Sequence, residues 1–166
     1  MNLTKEENKK LCEQYPFLIP SNRWSGKRIT EGAGFWPAAP DAVPKWDYEY
    51  TELDNMPDGW RTAFGHQFCE ELKDALEHSG ALETYRITQI KEKFGTLRIY
   101  DAGGTELSDA VIQKYAALSR HTCVKCGKPA TKITRGYISP YCDDCCPGFR
   151  AVPVDEYERE VSEHEF

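Results

Sequence analysis

The sequence has no long apolar run. Its longest uninterrupted stretches are a few residues, such as Phe17-Leu18-Ile19, against the roughly 20 needed for a helix to cross a bilayer. No membrane partner is expected. The opening residues, MNLTKEENKKLCEQ, lack the apolar centre of a secretory signal, and a cytoplasmic setting is expected. Catalytic signatures are also scarce. No GxGxxG follows a strand, and Gly32-Ala33-Gly34 is not followed by the Gly-Lys-Ser/Thr of a phosphate loop. There is neither a GxSxG elbow nor an HExxH pair. His66, with Asp54 and Asp58 nearby in sequence, is what remains for a general base, although such a histidine is more often a helix-surface group. The leading expectation is a non-enzyme, with a nucleotide-degrading enzyme as a further alternative.

The pattern that is present is α+β. The 166 residues, 40% of them hydrophobic, suffice for one modest core. A capping box at Thr4-Lys5-Glu6-Glu7 starts a short helix over 5–14, which Pro16 ends. Residues 16–57 hold six prolines and three of the four tryptophans. Trp24, Phe35, Trp36 and Trp46 are unlike a disordered linker, so this segment is expected to wrap aromatics onto the core. Trp46, Tyr48 and Tyr50 alternate with polar residues, which predicts a strand. Trp60, Phe64, Phe68, Leu72 and Leu76 recur at helical spacing over 59–79, with Gly80 as the stop. A hairpin over 85–101 turns at Phe94-Gly95. A second helix over 108–120 is expected to be capped by Ser108. The expected organisation is a helix-and-hairpin body over 1–120, an appended zinc-ribbon-like module over 121–150, and an acidic tail over 151–166 that is a marginal helix at best.

Cysteine usage points to a metal. Five of the seven cysteines lie in HTCVKCGKPATKITRGYISPYCDDCC. An odd count in a chain expected to be cytoplasmic argues against a disulfide framework. Cys123 and Cys126, then Cys142 and Cys145, form two CxxC pairs separated by 15 residues, the spacing of a structural zinc site. Two cysteines three apart on a tight turn can present both thiolates to one ion, and Gly127 permits the positive φ of such a knuckle. Around Arg135-Gly136, residues 132–134 and 137–139 are expected to form a short hairpin that returns the second pair to the first. Four thiolates favour zinc and leave no open position, so the zinc is expected to be structural. Iron on the same thiolates or a redox dithiol pair are the rival readings. Cys146 and His121 are alternative or outer ligands, while Cys12 and Cys69 read as buried core thiols.

The net charge of −6 is uneven. Residues 1–85 carry 9 Lys and Arg against 15 Asp and Glu, residues 86–140 carry 10 against 4, and residues 141–166 carry 2 against 8. Opposite blocks can pair with one another, or the basic block can meet an anionic ligand. With a two-residue turn at Phe94-Gly95, Gln89, Lys91, Lys93, Thr96, Arg98 and Tyr100 share one hairpin face, and Ile90 and Ile99 the other. Lys91 opposite Arg98 is a like-charge pair that needs a counter-charge, either a ligand phosphate or an acid such as Glu49 or Glu52. A turn one residue longer would set Arg98 beside Glu92 instead.

Three stretches, YTELDNMPDGWRTAFGHQFCEELK, YRITQIKEKFGTLRIYDAGGTE and HTCVKCGKPATKITRGYISPYCDDC, resemble an uncharacterised family of short bacteriophage and prophage proteins. The resemblance spans about residues 46–146, and the KEKFGTLR stretch followed by the cysteine module is its most specific part. It implies a phage protein acting in the host bacterial cytoplasm and carries no catalytic residues with it. The expectation is a phage accessory protein that sequesters a host nucleotide signal, binding a small anionic nucleotide at Lys91, Lys93, Arg98 and Tyr100. An aromatic pocket for it would come from the region of Trp24 to Trp60. The alternatives are a nucleic-acid-binding zinc ribbon using Lys125, Lys128, Lys132 and Arg135, and an inhibitor of another protein whose acidic tail mimics DNA.

Overall fold

The capping box at the start of the chain forms as its residue types dictate. In the structure, a computed structural model that describes residues 2–31, 46–148 and 150–164, the Thr4 N–H donates to Glu7 Oε2 (2.8 Å) and the Glu7 N–H to Thr4 Oγ1 (3.3 Å). These two bonds satisfy backbone donors that a helix start leaves open. Helix α1 (Lys5–Gln14) follows, and Pro16 opens a single 3₁₀ turn. Phe35, Trp36 and the Gly32-Ala33-Gly34 run lie outside the described residues.

Beyond this come α2 (Asp58–Trp60), a π-helical turn (Arg61–Gly65) and α3 (His66–His78). The expected 59–79 helix is thus present, with a wide turn inside it. It stops at Gly80, whose φ of 66° is left-handed, as the Ala81 N–H bonds back to the Leu76 carbonyl (2.9 Å). Strands β1 (Arg86–Lys93) and β2 (Thr96–Ala102) form the hairpin. Helix α4 (Glu106–Ser119) begins two residues earlier than expected. Thr105, not Ser108, stands at its N-terminus, and Ser108 completes a reciprocal cap: the Ser108 N–H donates to Thr105 Oγ1 (3.2 Å), and the Thr105 N–H to Ser108 Oγ (2.8 Å). Last, β3 (Lys132–Thr134), β4 (Pro140–Tyr141) and β5 (Ala151–Pro153) form a second sheet, with β3 in the middle, before α5 (Val154–His164). The fold is mixed α+β.

Three local expectations change. Trp46 to Thr51 forms no strand, because Tyr48 adopts φ 57° and folds the segment on itself. Trp46 then packs on Tyr48 (4.4 Å between ring centres) and donates its Nε1–H to the Tyr50 carbonyl (3.0 Å). The return strand of the cysteine module lies at 140–141 rather than 137–139, with Ile133 opposite Pro140. The acidic tail supplies both a strand, pairing Ile133 with Val152, and the full helix α5.

The chain divides into two compact units, one of residues 1–55, 67–90 and 99–112, the other of residues 56–66, 91–98 and 113–166. In the first, Tyr15, Phe17, Phe68, Leu72, Leu76 and Tyr85 are fully buried. Phe17 meets Tyr85 edge-on (6.1 Å), and the Tyr85 hydroxyl donates to Asp101 (2.7 Å). Cys12 and Cys69 are buried there as core thiols, and burial pushes Cys12 up to about 12. In the second unit, Trp60, Phe64, Leu97, Tyr115, Ile133 and Val154 form the core, and Phe64 lies against Tyr115 (5.3 Å).

Glu52 is a buried acid of the first unit, 6% exposed. Burial raises its carboxyl to about 7, against hydrogen bonds from Asn55 and the Ser21 backbone and the charge of Arg23. The folded value lies above the ordinary glutamate value of about 4.3. The contribution to stability is therefore complete below that value and is lost as pH rises through about 7. Two outcomes are expected. Thr4→Ala should cost about 1 kcal/mol in urea unfolding through loss of the α1 cap. Glu52→Gln should flatten the decline of melting temperature between about pH 4 and pH 8.

Candidate metal centre and basic hairpin

Each half of the cysteine module is a backbone turn that aims two sulfurs the same way. In the first, the Gly127 N–H bonds to the Cys123 carbonyl (3.0 Å) and the Cys123 N–H to the Lys128 carbonyl (2.8 Å), with Gly127 at φ 84°. In the second, the N–H groups of Cys145 and Cys146 return to the Cys142 carbonyl. Strand β4 ties the two together, since the Val124 N–H donates to the Pro140 carbonyl (3.0 Å).

The four Sγ atoms of Cys123, Cys126, Cys142 and Cys145 lie within 4.8 Å of one another. Cys126 and Cys142 are 3.6 Å apart. A disulfide needs about 2.05 Å, whereas two thiolates on one tetrahedral ion with metal–sulfur bonds of about 2.3 Å sit about 3.8 Å apart. This set can hold a metal ion. Burial opposes ionisation of Cys123, but backbone N–H groups of Cys142, Cys126 and Lys125 bring the thiol down to about 7. Cys145 is pushed up to about 12, first by its hydrogen-bonding neighbours Cys126 and Cys142. Four thiols this close cannot all ionise without a cation.

Cys146 and His121 stand apart from the cluster. The Cys146 thiol faces the Pro147 carbonyl (3.4 Å), and His121 Nε2 pairs with Glu158 (2.9 Å). The first knuckle is also wedged against α2. The Gly59 N–H donates to the Val124 carbonyl (2.9 Å), and Trp60 Nε1–H to the Thr122 carbonyl (2.9 Å). A Cβ on Gly59 would collide with the Cys123 carbonyl oxygen and come within 2.6 Å of the Val124 carbonyl carbon. Only glycine fits there. A lone Gly59 in a helical pattern gave no sign of that role.

The basic residues of the module are largely neutralised by the acids that follow them. Lys128 reaches Asp144 (3.5 Å), Lys132 reaches Asp143 (3.6 Å), and one guanidinium nitrogen of Arg135 reaches both oxygens of Glu160 (2.6 Å each). The hairpin differs. Its turn contains only Phe94 and Gly95, between Lys93 and Thr96, so strand alternation sets Lys93 and Arg98 on one face. Both are exposed, and neither forms an ion pair among the described residues. Lys91 is half-buried, and both it and Tyr100 already have interacting groups. Tyr100 belongs to the first unit, whereas Lys91, Lys93 and Arg98 belong to the second. Glu49 reaches Lys5 (3.7 Å) and Glu52 accepts from Asn55 (3.1 Å).

The turn itself is strained. Phe94 has φ 54° and Gly95 φ 76°, the geometry that favours Asn-Gly or Gly-Gly. Phe94 is 66% exposed, and neighbouring Tyr137 is 72% exposed, its hydroxyl reaching Glu92 (3.4 Å). The other Glu92 oxygen accepts from the Gly95 N–H (2.6 Å). His66 is exposed on the helix surface, and Asp58 pairs with Arg61 (2.9 Å).

No protein-family model matches the chain, and no curated protein or solved structure matches it. Gly59→Ala should displace the first knuckle, lowering stability by on the order of 2 kcal/mol. Native-state alkylation of Cys123 should become faster than in the parent protein.

Proposed function

We propose that the protein is a non-enzymatic binding module for a nucleotide-type anion, taken at the hairpin tip, with a structural zinc holding its second unit. The observation that carries this reading is the pairing of exposed, uncompensated Lys93 and Arg98 with two exposed rings, Phe94 and Tyr137. Phosphate needs fixed cations, and a base needs an aromatic face. Phe94 favours this use because nothing else accounts for it. Its backbone conformation is costly for a residue with a side chain, and its ring gains no burial. Lys93 Nζ lies 5.7 Å from the centre of that ring, so charge and ring are presented together.

Zinc suits the four-thiolate set because its preference for sulfur and tetrahedral geometry matches the spacing. With all four positions taken by protein, the ion has no place for substrate or water. Its role is to hold the short β3–β5 sheet and its knuckles, which bury few large side chains. A nucleic-acid ribbon is a weaker reading, since Lys128, Lys132 and Arg135 are already paired with acids. In the phage setting that the sequence resemblance implies, capture of a host nucleotide signal is the use we assign to the site.

Purified protein should carry one zinc per chain, and chelation should lower the melting temperature sharply. Less than half a zinc per chain would overturn the metal assignment. Isothermal titration of zinc-loaded protein against cyclic and linear nucleotides should show binding that Lys93→Ala and Arg98→Ala each weaken about tenfold. Absence of heat across the panel would overturn the binding reading. Recovery of chemically altered nucleotide would convert it to an enzyme. Phe94→Asn separates structure from function: it should raise thermal stability, by up to about 1 kcal/mol through relief of strain, while weakening nucleotide binding.

A further inference from the structure

The first unit contains a cleft of about 210 Å³ lined by a buried acid. Its lining includes Glu52, Trp24, Tyr50, Arg23, Asn55 and Gln89, and it shares no residue with the hairpin tip. Glu52 is 94% buried, being 6% exposed. It has the Asn55 amide (3.1 Å) and the Ser21 backbone as hydrogen-bond partners, and it forms no salt bridge among the described residues. A buried carboxyl that forms no salt bridge detracts from the stability of a fold, and one placed in a cleft is a functional-site candidate.

The walls are built to present flat surfaces. Asn22 Oδ1 accepts from the N–H groups of Trp24 (2.9 Å) and Ser25 (3.0 Å), and a bridge between Ser21 and Arg28 closes the loop. That loop holds the Trp24 backbone while leaving the residue 59% exposed. Tyr50 is anchored by the Trp46 indole N–H on its carbonyl and by an edge-on ring contact (6.5 Å), and it stays 37% exposed.

We propose that this cleft binds a planar, uncharged heterocycle bearing two adjacent N–H donors, the edge that guanine presents. Each part of the lining contributes to that choice. The volume is below the roughly 300–1,000 Å³ of sites for drug-sized ligands, which limits the occupant to about one ring system. Trp24 and Tyr50 offer stacking faces. A carboxylate accepts only, and its two oxygens match two parallel N–H donors. Arg23 at the cleft disfavours a cationic ligand, so a guanidinium or an ammonium group is a poorer fit than a neutral base. The groups that act electrostatically on the carboxyl include Arg23, while Tyr50 responds to both Glu52 and Glu49. Binding draws Glu52 into its ionised form and releases the proton it carried.

The test uses the full zinc-loaded chain with guanosine, inosine and adenosine at pH 7, read by tryptophan fluorescence and titration calorimetry. These nucleosides carry no phosphate, so the result is independent of the hairpin cations. Guanosine is expected to bind. Inosine, which lacks the 2-amino donor, should bind about tenfold or more weakly, as loss of a hydrogen bond to a charged group requires. Adenosine should bind more weakly still. Glu52→Gln should lose guanosine binding about tenfold, and Trp24→Ala, at an exposed position, should lose it without loss of fold. The double variant Lys93→Ala/Arg98→Ala should keep it. No guanosine binding at millimolar concentration, equal binding of adenosine, or an unchanged affinity in folded Glu52→Gln would each overturn the proposal.

Discussion

The second unit depends on one close approach, that of the Gly59 backbone to the turn from Cys123 to Gly127. With no side chain between them, the Gly59 N–H reaches the Val124 carbonyl and Trp60 reaches the Thr122 carbonyl. A Cβ on Gly127 would in turn come within 2.6 Å of the Gly59 carbonyl oxygen. Both sides of the contact therefore exclude side chains. The first pair of cysteines is fixed by a helix start more than 60 residues before it in the chain. From there Val124 meets β4, β4 meets β3, and β3 carries β5 and the acidic helix. The four sulfurs converge because every link in that chain is a backbone contact, which leaves little freedom for slippage.

Electrostatics then divides the basic block into two parts. Asp143 and Asp144, inside the second cysteine pair, meet Lys132 and Lys128, and Glu160 of the last helix meets Arg135. Surface pairs of this kind add little stability, but they cancel charge that would otherwise attract phosphate polymers. At the hairpin, the nearby acid Glu92 is engaged with the turn N–H and with Tyr137, and Lys93 and Arg98 are left exposed. Like charges held on one face of a two-stranded ribbon are destabilising, and so is an exposed phenylalanine at positive φ. That one turn therefore costs stability in two ways.

Much of this was legible in the residue order. Capping-box chemistry placed α1, and the 3.6-residue spacing of Trp60, Phe64, Phe68, Leu72 and Leu76 placed the long helical stretch. Phe94-Gly95 placed the hairpin turn, and the CxxC spacing picked out the same four cysteines that the fold brings together. The failures share a cause. Alternation of Trp46, Tyr48 and Tyr50 read as a strand, but a strand also needs a neighbour to pair with, and the aromatic rings packed on one another instead. The tail looked marginal as an isolated helix because isolated helices are judged without tertiary contacts. In the fold, β5 delivers it beside β3, Val154 is buried, and Arg135 meets Glu160.

The local elements and the metal-type cysteine set follow from residue order, because helix caps, hydrophobic period, turn residues and thiol spacing all act within a few residues. Which acids neutralise which bases, why Gly59 must be glycine, and that Glu52 ends up buried in a cleft it shares with Trp24 and Tyr50 were decided by tertiary structure alone. Those outcomes rest on contacts between segments far apart in the chain. Burial, which turns an ordinary glutamate into one that holds its proton near neutrality, does not exist until those segments meet.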